Sequence, residues 1–385
     1  MMNRQARHAI LAKANRDECA RQDYVFSMKQ FVTGALAQAG AAYYRAGIEP
    51  ALEREDDAGD RHAIRRRLER APHYQMASSL KRTIQELIWD TTGESVERQL
   101  EDLIETAAAV RARGRRLGSL RLDPGLRVPR YLSAVDIHSM PGNYHVELTC
   151  DDVFAGAIYD RGVYLFSLGG GGPNHENNGK SLAAFVKHRF PDLEPKRILE
   201  MGCTVGSTAL PFVDAFPTAK VHAIDVAAPL LRYAHARSEL SGRAVQFSQQ
   251  NAENTDFADS AFDLVVSTGL LHETSGKALP RIMTECFRLL RPGGVMVHGE
   301  DPQYDAMDPY DATLHDWGTR YNNEPFMSTM HEFDLVELAV DAGFARETAF
   351  PQIAVDHAPS AGSKRDGTYR GQTFAGRRYF SGAVK

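Results

Sequence analysis

From about residue 179 onward, short apolar runs alternate with longer segments of helical periodicity, and this alternation limits the possible folds more than any other feature of the sequence. Arg197–Met201 and Lys220–Ile224 have the length of buried strands. Ser207–Phe216 and Pro229–Leu240 repeat their apolar residues at helical spacing. Because buried strands that alternate with helices form parallel sheets covered on both faces, the pattern predicts a doubly wound α/β fold.

The same alternation continues toward the end of the chain. Two final strands, near Thr348–Ile353 and Arg378–Ala383, follow one another without a helical pattern between them, which predicts an antiparallel closing pair. The other predicted elements are the helices Ser181–Phe190, Lys277–Leu290 and Glu332–Ala342 and the strands Ala244–Phe247, Phe262–Ser267 and Val295–Val297.

The N-terminal part has a different pattern. Residues 1–110 are predicted to be mainly helical, and short β-like pieces are predicted at Tyr144–Leu148 and Val163–Leu168. We therefore predict two domains, a helical one at 1–170 that covers a substrate site or forms a dimer, and a ligand-binding one at 171–385. The arginine-rich run 111–130 suggests an anionic acceptor such as a carboxylate, a phosphate or a carrier-bound group, with a solvated charged face as the alternative.

Composition excludes several classes of function. The formal net charge of −5 argues against nucleic acid as a partner, because binding phosphates requires a basic surface. No apolar run has the length of a membrane helix, and the N-terminus lacks a secretory pattern. The four cysteines show no paired or metal-binding spacing, which is typical of reduced thiols. We expect a soluble cytoplasmic protein that binds no metal.

A glycine-containing turn follows the first strand of the regular region, in RILEMGCTVGSTAL (Arg197–Leu210). Gly202 and Gly206 allow a sharp turn and a close approach to a ligand, and the following helix directs backbone N–H groups toward it. Asp225 ends the next strand, where a carboxylate can accept from ribose hydroxyls, and Asn251 follows the third. The alternative is a plain tight turn with Asp225 as a helix cap.

Taken together, these motifs resemble those of the class I S-adenosylmethionine-dependent methyltransferases over about residues 179–385. The first motif reads EMGCTVG (Glu200–Gly206), with Thr204 in place of the middle glycine, and Asn251 stands where an aspartate is usual. FDLVVSTGLLHE (Phe262–Glu273) and ECFRLLRPGGVMVHGED (Glu285–Asp301) match the later motifs. The resemblance implies a Rossmann-like sheet and S-adenosylmethionine as cofactor.

The resemblance also implies the parts of the cofactor site. Its amino-acid end would lie at Glu200–Gly206, its ribose at Asp225 and its adenine near Asn251. Relatives fold an aromatic segment over the methionine end, so Tyr159 and Tyr164 are candidates, although core packing is the alternative for each. The expected cofactor-binding residues are Glu200, Gly202, Cys203, Gly206, Asp225, Val226, Asn251, Ala252, Ser267, Tyr159 and Tyr164.

Methyl transfer from a sulfonium depends mostly on alignment, and a base is needed only for a protonated nucleophile. His272, whose unperturbed pKa is near 6.5, is a candidate base, and the alternative is a histidine that only lines the pocket or orders the loop. Glu300 and Asp301 are candidates for holding the acceptor. Glu273 is predicted to cap the following helix, with orientation of the His272 ring as the alternative. We expect an enzyme that methylates an O, N or S atom of a small organic acceptor.

The sequence leaves two other functions open. A non-catalytic scaffold would keep the cofactor fold without turnover. A nicotinamide-dependent oxidoreductase would need G-x-G-x-x-G, whereas Gly202 and Gly206 have a different spacing.

Overall fold

The computed structural model describes residues 5–356 and 377–385, and these form one eight-stranded sheet with helices around it. The strand order is β1-β4-β3-β2-β5-β6-β8-β7. The strands are β1 (Ser119–Arg121), β2 (Arg197–Met201), β3 (Lys220–Asp225), β4 (Val245–Gln249), β5 (Phe262–Thr268), β6 (Leu290–Glu300), β7 (Phe350–Asp356) and β8 (Arg377–Val384).

All pairings among β1 to β6 are parallel, and β8 pairs antiparallel with both β6 and β7. The predicted Rossmann-like sheet with its closing antiparallel pair is thus confirmed. β2 lies between β3 and β5, so the strand order reverses beside it. Ligands of doubly wound sheets bind in the crevice at this reversal, at the carboxyl ends of the strands.

Fifteen α-helices lie within the described residues, together with two π-helical segments at Val32–Leu36 and Tyr44–Ile48. The α-helices are α1 (Arg16–Phe31), α2 (Ala37–Tyr43), α3 (Glu49–Arg54), α4 (Arg61–Leu68), α5 (Pro72–Glu97), α6 (Leu100–Arg111), α7 (Arg130–Ser133), α8 (Phe154–Phe166), α9 (Asn177–Arg189), α10 (Ala209–Ala215), α11 (Ala228–Leu240), α12 (Ala278–Leu289), α13 (Pro309–Tyr321), α14 (Met327–Met330) and α15 (Leu335–Asp341). Within this described part, no helix has both the length and the apolar character needed to cross a membrane.

The helix α12 shows how the sequence pattern produces the packing. Its buried apolar residues recur every three or four positions, so they form one stripe that faces the sheet. This stripe joins a core with the inner face of β5, whose residues from Phe262 to Ser267 are all buried. Burial on both faces explains why these strands appear as continuous apolar runs.

Helix α8 joins the N-terminal helices to the sheet, because it packs on α5 and on α11. Gly162 lies against Trp89 of α5, where an added Cβ would come within 2.3 Å of the indole ring. Gly156 lies equally close to Tyr233 of α11. The predicted strand at Val163–Leu168 is therefore wrong, since most of it lies in this helix.

Tyr144–Leu148, the other β-like piece, forms turns and bends and not a strand. The arginine-rich run contains a strand that we did not predict, because β1 pairs in parallel with the outer edge of β4. Arg111 forms an ion pair with Asp151 at 3.0 Å, and Arg121 forms one with Asp256. These arginines neutralise surface carboxylates of the chain itself. The domain boundary near residue 170 stays a prediction.

Candidate functional site

The turn after β2 is built from three residues with left-handed backbone conformations. Gly202 has φ +69° and Gly206 has φ +79°, and a Cβ at Gly202 would lie 2.8 Å from Leu270. Thr204, which replaces the middle glycine of the motif, has φ +44°. A side chain costs about 1 kcal/mol or more in this region. The Thr204 amide donates to Asp225 Oδ2 at 3.0 Å, which helps hold the turn.

Asp225 lies at the end of β3 and is largely buried. Its two carboxylate oxygens accept one backbone hydrogen bond each, from Thr204 and from Ala227, both at 3.0 Å. Burial raises the pKa of Asp225 to about 6, against the lowering effect of these hydrogen bonds. Each oxygen keeps a further lone pair, so the carboxylate retains capacity for two hydroxyl donors.

Glu200, in β2, is the second buried carboxyl group of this crevice. Burial raises its pKa to about 8, while hydrogen bonds from the Ala209 amide and the Thr208 hydroxyl lower it and the nearby Asp225 raises it. Its Oε2 atom is buried without a hydrogen-bond partner in the part of the chain that the structure describes. An unsatisfied buried carboxyl oxygen is costly, and a ligand with a positive charge or an N–H donor would satisfy it.

The turn after β4 completes this edge of the crevice. Asn251 Oδ1 accepts from the Glu253 amide at 2.9 Å, so the predicted acceptor atom also holds the turn in shape. Ala252 is nearly buried. Gln249 donates to the carbonyl of Val226 at 3.0 Å, which ties the ends of β4 and β3 together.

Among the other predicted cofactor residues, the structure separates those near the crevice from those in the core. Tyr159 lies near the crevice, because its hydroxyl interacts with Thr204. The centres of the Tyr159 and Tyr144 rings are 5.9 Å apart. Tyr164 packs in the N-terminal core against Arg161 and Gly169.

Cys203 and Ser267 are both fully buried side chains. The Ser267 hydroxyl hydrogen-bonds with His298 Nδ1 at 2.7 Å, so its polar group is satisfied inside the protein. The Cys203 side chain belongs to the core beneath the sheet. Only their backbone groups remain for a contact with a ligand.

His272 and Glu300 form one unit at the ends of β5 and β6. His272 Nδ1 lies 2.6 Å from Glu300 Oε2, and the other Glu300 oxygen accepts from the Leu271 amide at 2.7 Å. Burial lowers the pKa of His272, but the carboxylates of Glu300 and Glu273 outweigh it and raise the pKa to about 10. His272 is therefore an imidazolium at neutral pH, which does not suit the base role predicted for it.

Glu273 does not cap a helix as predicted, because its carboxylate lies in a polar cluster. Glu273 Oε1 accepts from His138 Nε2 at 2.9 Å and from the Tyr144 hydroxyl at 3.1 Å. The other nitrogen of the His138 ring, Nδ1, pairs with Glu324 Oε1 at 2.9 Å. Glu273 Oε2 is buried and has no partner among the described residues. We call Glu273, His138, Tyr144 and Glu324 the polar cluster.

The two charges on either side of His138 define its protonation state. Burial lowers the pKa of His138, yet Glu324 and Glu273 together raise it to about 10. His138 is thus charged at neutral pH and neutralises one carboxylate. Its φ of +58° is held by its carbonyl, which accepts from Gln85 and Trp89 at 2.7 Å each.

Asp301, the remaining predicted catalytic residue, lies beside the polar cluster and pairs with His315 at 3.4 Å. Burial raises its pKa, but His315, His272 and His331 outweigh this effect and lower it. Asp301 is therefore ionised and already engaged. Within the described ranges, no group of three or more His, Cys, Asp or Glu has the geometry to hold a metal ion.

Sequence reasoning missed His138, Tyr144 and Glu324. His138 lies 135 positions before Glu273, and Tyr144 lies 129 positions before it. Glu324 comes well after Glu273 in the sequence. No local motif marks any of them, because the fold alone brings them to Glu273. The sequence can indicate a site residue only where an aromatic or titratable side chain lies near a predicted strand end.

The fold and the crevice define a class of protein: a doubly wound α/β protein with a nucleotide-type ligand site at β2, β3 and β4. A family model for the methyltransferase domain matches residues 198–294. A malonyl-[acyl-carrier protein] O-methyltransferase of Geobacter sulfurreducens is 30% identical over 198 residues, which cover 48% of this chain and 71% of that protein. This chain belongs to the class I S-adenosylmethionine-dependent methyltransferases.

Two other relatives are similar over a shorter region. A malonyl-[acyl-carrier protein] O-methyltransferase of Methylococcus capsulatus is 35% identical over 117 residues, 30% of this chain and 40% of that protein. A tRNA N(3)-methylcytidine methyltransferase of Drosophila melanogaster is 27% identical over 119 residues, 29% of this chain and 37% of that protein. The chain thus spans less than half the length of these two relatives.

The crevice fits the family's cofactor, S-adenosylmethionine. The unpartnered Glu200 oxygen suits the ammonium of the amino-acid end, and Gly202 leaves the space that a Cβ would fill. Asp225 retains two acceptor positions for the ribose hydroxyls. The turn at Asn251 and Ala252 lies at the end of the neighbouring strand, where the adenine would bind.

Proposed function

We propose that the protein transfers a methyl group from S-adenosylmethionine to an oxygen, nitrogen or sulfur atom of a small organic acceptor. The observation that carries this proposal is the pair of buried carboxyls, Glu200 and Asp225, on neighbouring strands beside a glycine turn. Next to them lies the polar cluster, which supplies groups that can contact an acceptor. A scaffold protein would need the first feature but not the second.

Glu200, Asp225 and the glycine turn would hold the cofactor, which would supply an electrophilic methyl group for the acceptor. The residues of the chain then have to align the acceptor and take up its proton. Glu273 suits this task better than His272, because its Oε2 atom has no partner in the described part of the chain. His138 and Tyr144 hold its other oxygen, so the carboxylate has a fixed orientation.

His272 and Glu300 have a positioning role in this proposal. Glu300 has a side chain with no solvent exposure, and it fixes both the His272 ring and the Leu271 amide. The turn that carries Glu273 is thereby held against β6. Loss of either residue should displace Glu273 without removing the group that accepts the proton.

Several features support a small acceptor. The segment between α7 and α8, which follows the N-terminal helices, contributes His138 and Tyr144 to the polar cluster, so the acceptor site is partly enclosed by the chain itself. Enclosed sites are typical for small molecules. The net charge of −5 disfavours nucleic acid, although one relative acts on tRNA. The same helices are also candidates for a homodimer interface.

The cofactor is tested by calorimetric titration with S-adenosylhomocysteine and, separately, with NADH. We expect saturable binding of S-adenosylhomocysteine alone. Binding of NADH without a response to S-adenosylhomocysteine would instead support a nicotinamide-dependent oxidoreductase.

The acceptor is tested by screening metabolite extracts for release of S-adenosylhomocysteine, with mass spectrometry to find the added methyl group. Activity on a low-molecular-mass fraction supports the proposal. Activity confined to protein or RNA fractions contradicts the small acceptor, and cofactor binding without turnover on any fraction supports a scaffold.

A further inference from the structure

Two lysines of the N-terminal helices point their ammonium groups into the protein. Lys29 of α1 has its Nζ atom 3.9 Å from the centre of the Phe166 ring. Lys81 of α5 has its Nζ atom 4.5 Å from the centre of the Trp317 ring. Lys81 Nζ is inaccessible to solvent and has no hydrogen-bond partner among the described residues.

Both lysines lie next to the polar cluster. The Phe166 ring beneath Lys29 contacts the His138 ring, with the two centres 5.7 Å apart. The carboxylate of Glu324 acts electrostatically on both ammonium groups and also on His272. The lysine pair is therefore connected, through Phe166 and Glu324, to the residues that we assign to the acceptor.

The arrangement leaves the two ammonium groups poorly compensated. Burial lowers the pKa of Lys81 to about 8, and burial together with repulsion from Lys81 lowers that of Lys29 to about 7. Glu324 opposes this effect, but His138 lies within 2.9 Å of the same carboxylate and takes up its charge. Aromatic faces attract cations but give them no hydrogen-bond acceptor.

We propose that Lys29 and Lys81 form a subsite for the anionic group of the methyl acceptor, an oxyanion such as a carboxylate or a phosphate. This proposal rests on the proposed function, since it names the substrate class of that site. An oxyanion between the two ammonium groups would supply the missing hydrogen-bond acceptors, and the nucleophilic end of the same molecule would extend toward Glu273. Arg111 and Arg121 of the arginine-rich run do not compete for this role, because both are engaged in ion pairs.

The test uses the full chain and two simple probes, inorganic phosphate and glutarate, titrated in a calorimeter with and without saturating S-adenosylhomocysteine. We expect saturable binding of at least one probe to the wild-type protein. In Lys29→Met and Lys81→Met the affinity should fall at least tenfold, and it should be lost in the double variant. Phosphate binding alone or glutarate binding alone would tell which oxyanion the subsite prefers.

Lys196→Met is the matched control, because Lys196 is exposed in the segment before β2 and shares the same change of charge. This control should bind the probes as the wild type does. Binding of the probes by the double variant with wild-type affinity overturns the proposal, and so does the failure of both probes to bind the wild type. A purely structural role would lower the unfolding temperature of the lysine variants and leave probe binding unchanged.

A second measurement needs only the wild-type protein and decides the question if the double variant does not fold. Lys29, which is partly exposed, should react readily with acetic anhydride near neutral pH, and phosphate or glutarate should protect it, as measured by mass spectrometry of peptides. Equal acetylation of Lys29 with and without the probes contradicts the subsite. S-adenosylhomocysteine binding, recorded in the same titrations, separates failure of the subsite from failure of the proposed function.

Discussion

The buried Glu200 carboxyl group, whose Oε2 atom has no partner among the described residues, leads to a prediction about protons. With a pKa of about 8, Glu200 is mostly protonated at neutral pH in the free protein. The ammonium group of bound S-adenosylhomocysteine would favour the ionised form and lower this pKa. Binding at pH 7 should therefore release up to about 0.9 proton per molecule, the fraction protonated when the pKa lies one unit above the pH.

Calorimetric titration in buffers of different ionisation enthalpy measures this release directly. The apparent binding enthalpy should vary with the buffer for the wild type and should become nearly independent of the buffer in Glu200→Gln. A conservative control, Glu194→Gln, changes an exposed loop residue and should keep the wild-type dependence. No dependence on the buffer in the wild type would refute the role assigned to Glu200.

The same group affects the stability of the protein without cofactor. Its pKa is about 8 in the folded protein and 4.5 in the unfolded chain, so the folded protein holds the proton more tightly. This contribution is complete below about pH 4.5 and is lost as the pH rises through 8. Relative to Glu200→Gln, the wild type should lose roughly 3–4 kcal/mol between about pH 5 and about pH 8. Urea unfolding of both proteins at the two pH values measures the difference, and parallel pH profiles would contradict it.

Three further predictions concern other parts of the molecule. Asp225→Ala should raise the dissociation constant of S-adenosylhomocysteine about tenfold or more, since hydrogen bonds to a charged group contribute roughly 1.5–3 kcal/mol; an unchanged constant in calorimetry would place the ribose elsewhere. Glu273→Gln should lower kcat about 100-fold or more on the acceptor found by the extract screen, whereas wild-type turnover would exclude it as the base. Gly156→Ala should destabilise the protein by about 1–3 kcal/mol in urea unfolding, because the new methyl would lie 2.4 Å from a side chain of α11. Gly34→Ala, with nothing within 4 Å, is the control, and equal midpoints for the two variants would contradict the packing of α8.

The cofactor half was predictable because its signals are local. Each buried strand appears as an apolar run, and the turn after β2 shows its glycines directly in the sequence. Val163–Leu168 misled us, since its apolar residues belong to a helix that is packed on two sides and so shows little amphipathic contrast. β1 was missed because a three-residue edge strand with an exposed serine and an exposed arginine has no apolar pattern.

The acceptor side was predictable only in part, for a physical reason. His272, Glu300 and Asp301 lie at strand ends or shortly after them, so their proximity could be expected from the topology. Their charge states could not, because the pKa of His272 depends on carboxylates that the fold brings near it. Contacts across more than a hundred residues, such as that of His138 with Glu273, leave no trace in a single sequence.

The position of β8 between β6 and β7 determines the order in which the sheet can be completed. β6 emerges from the ribosome well before β8, so the nascent chain presents one open edge of β6, with its unpaired N–H and C=O groups. β7 is synthesised before β8, but in the described sheet β7 pairs with β8. It therefore cannot close the edge of β6. Late closure of this kind favours pairing between unfinished chains. Loss of β8 by proteolysis or by a frameshift should therefore produce aggregation through β6 and not merely a less active enzyme.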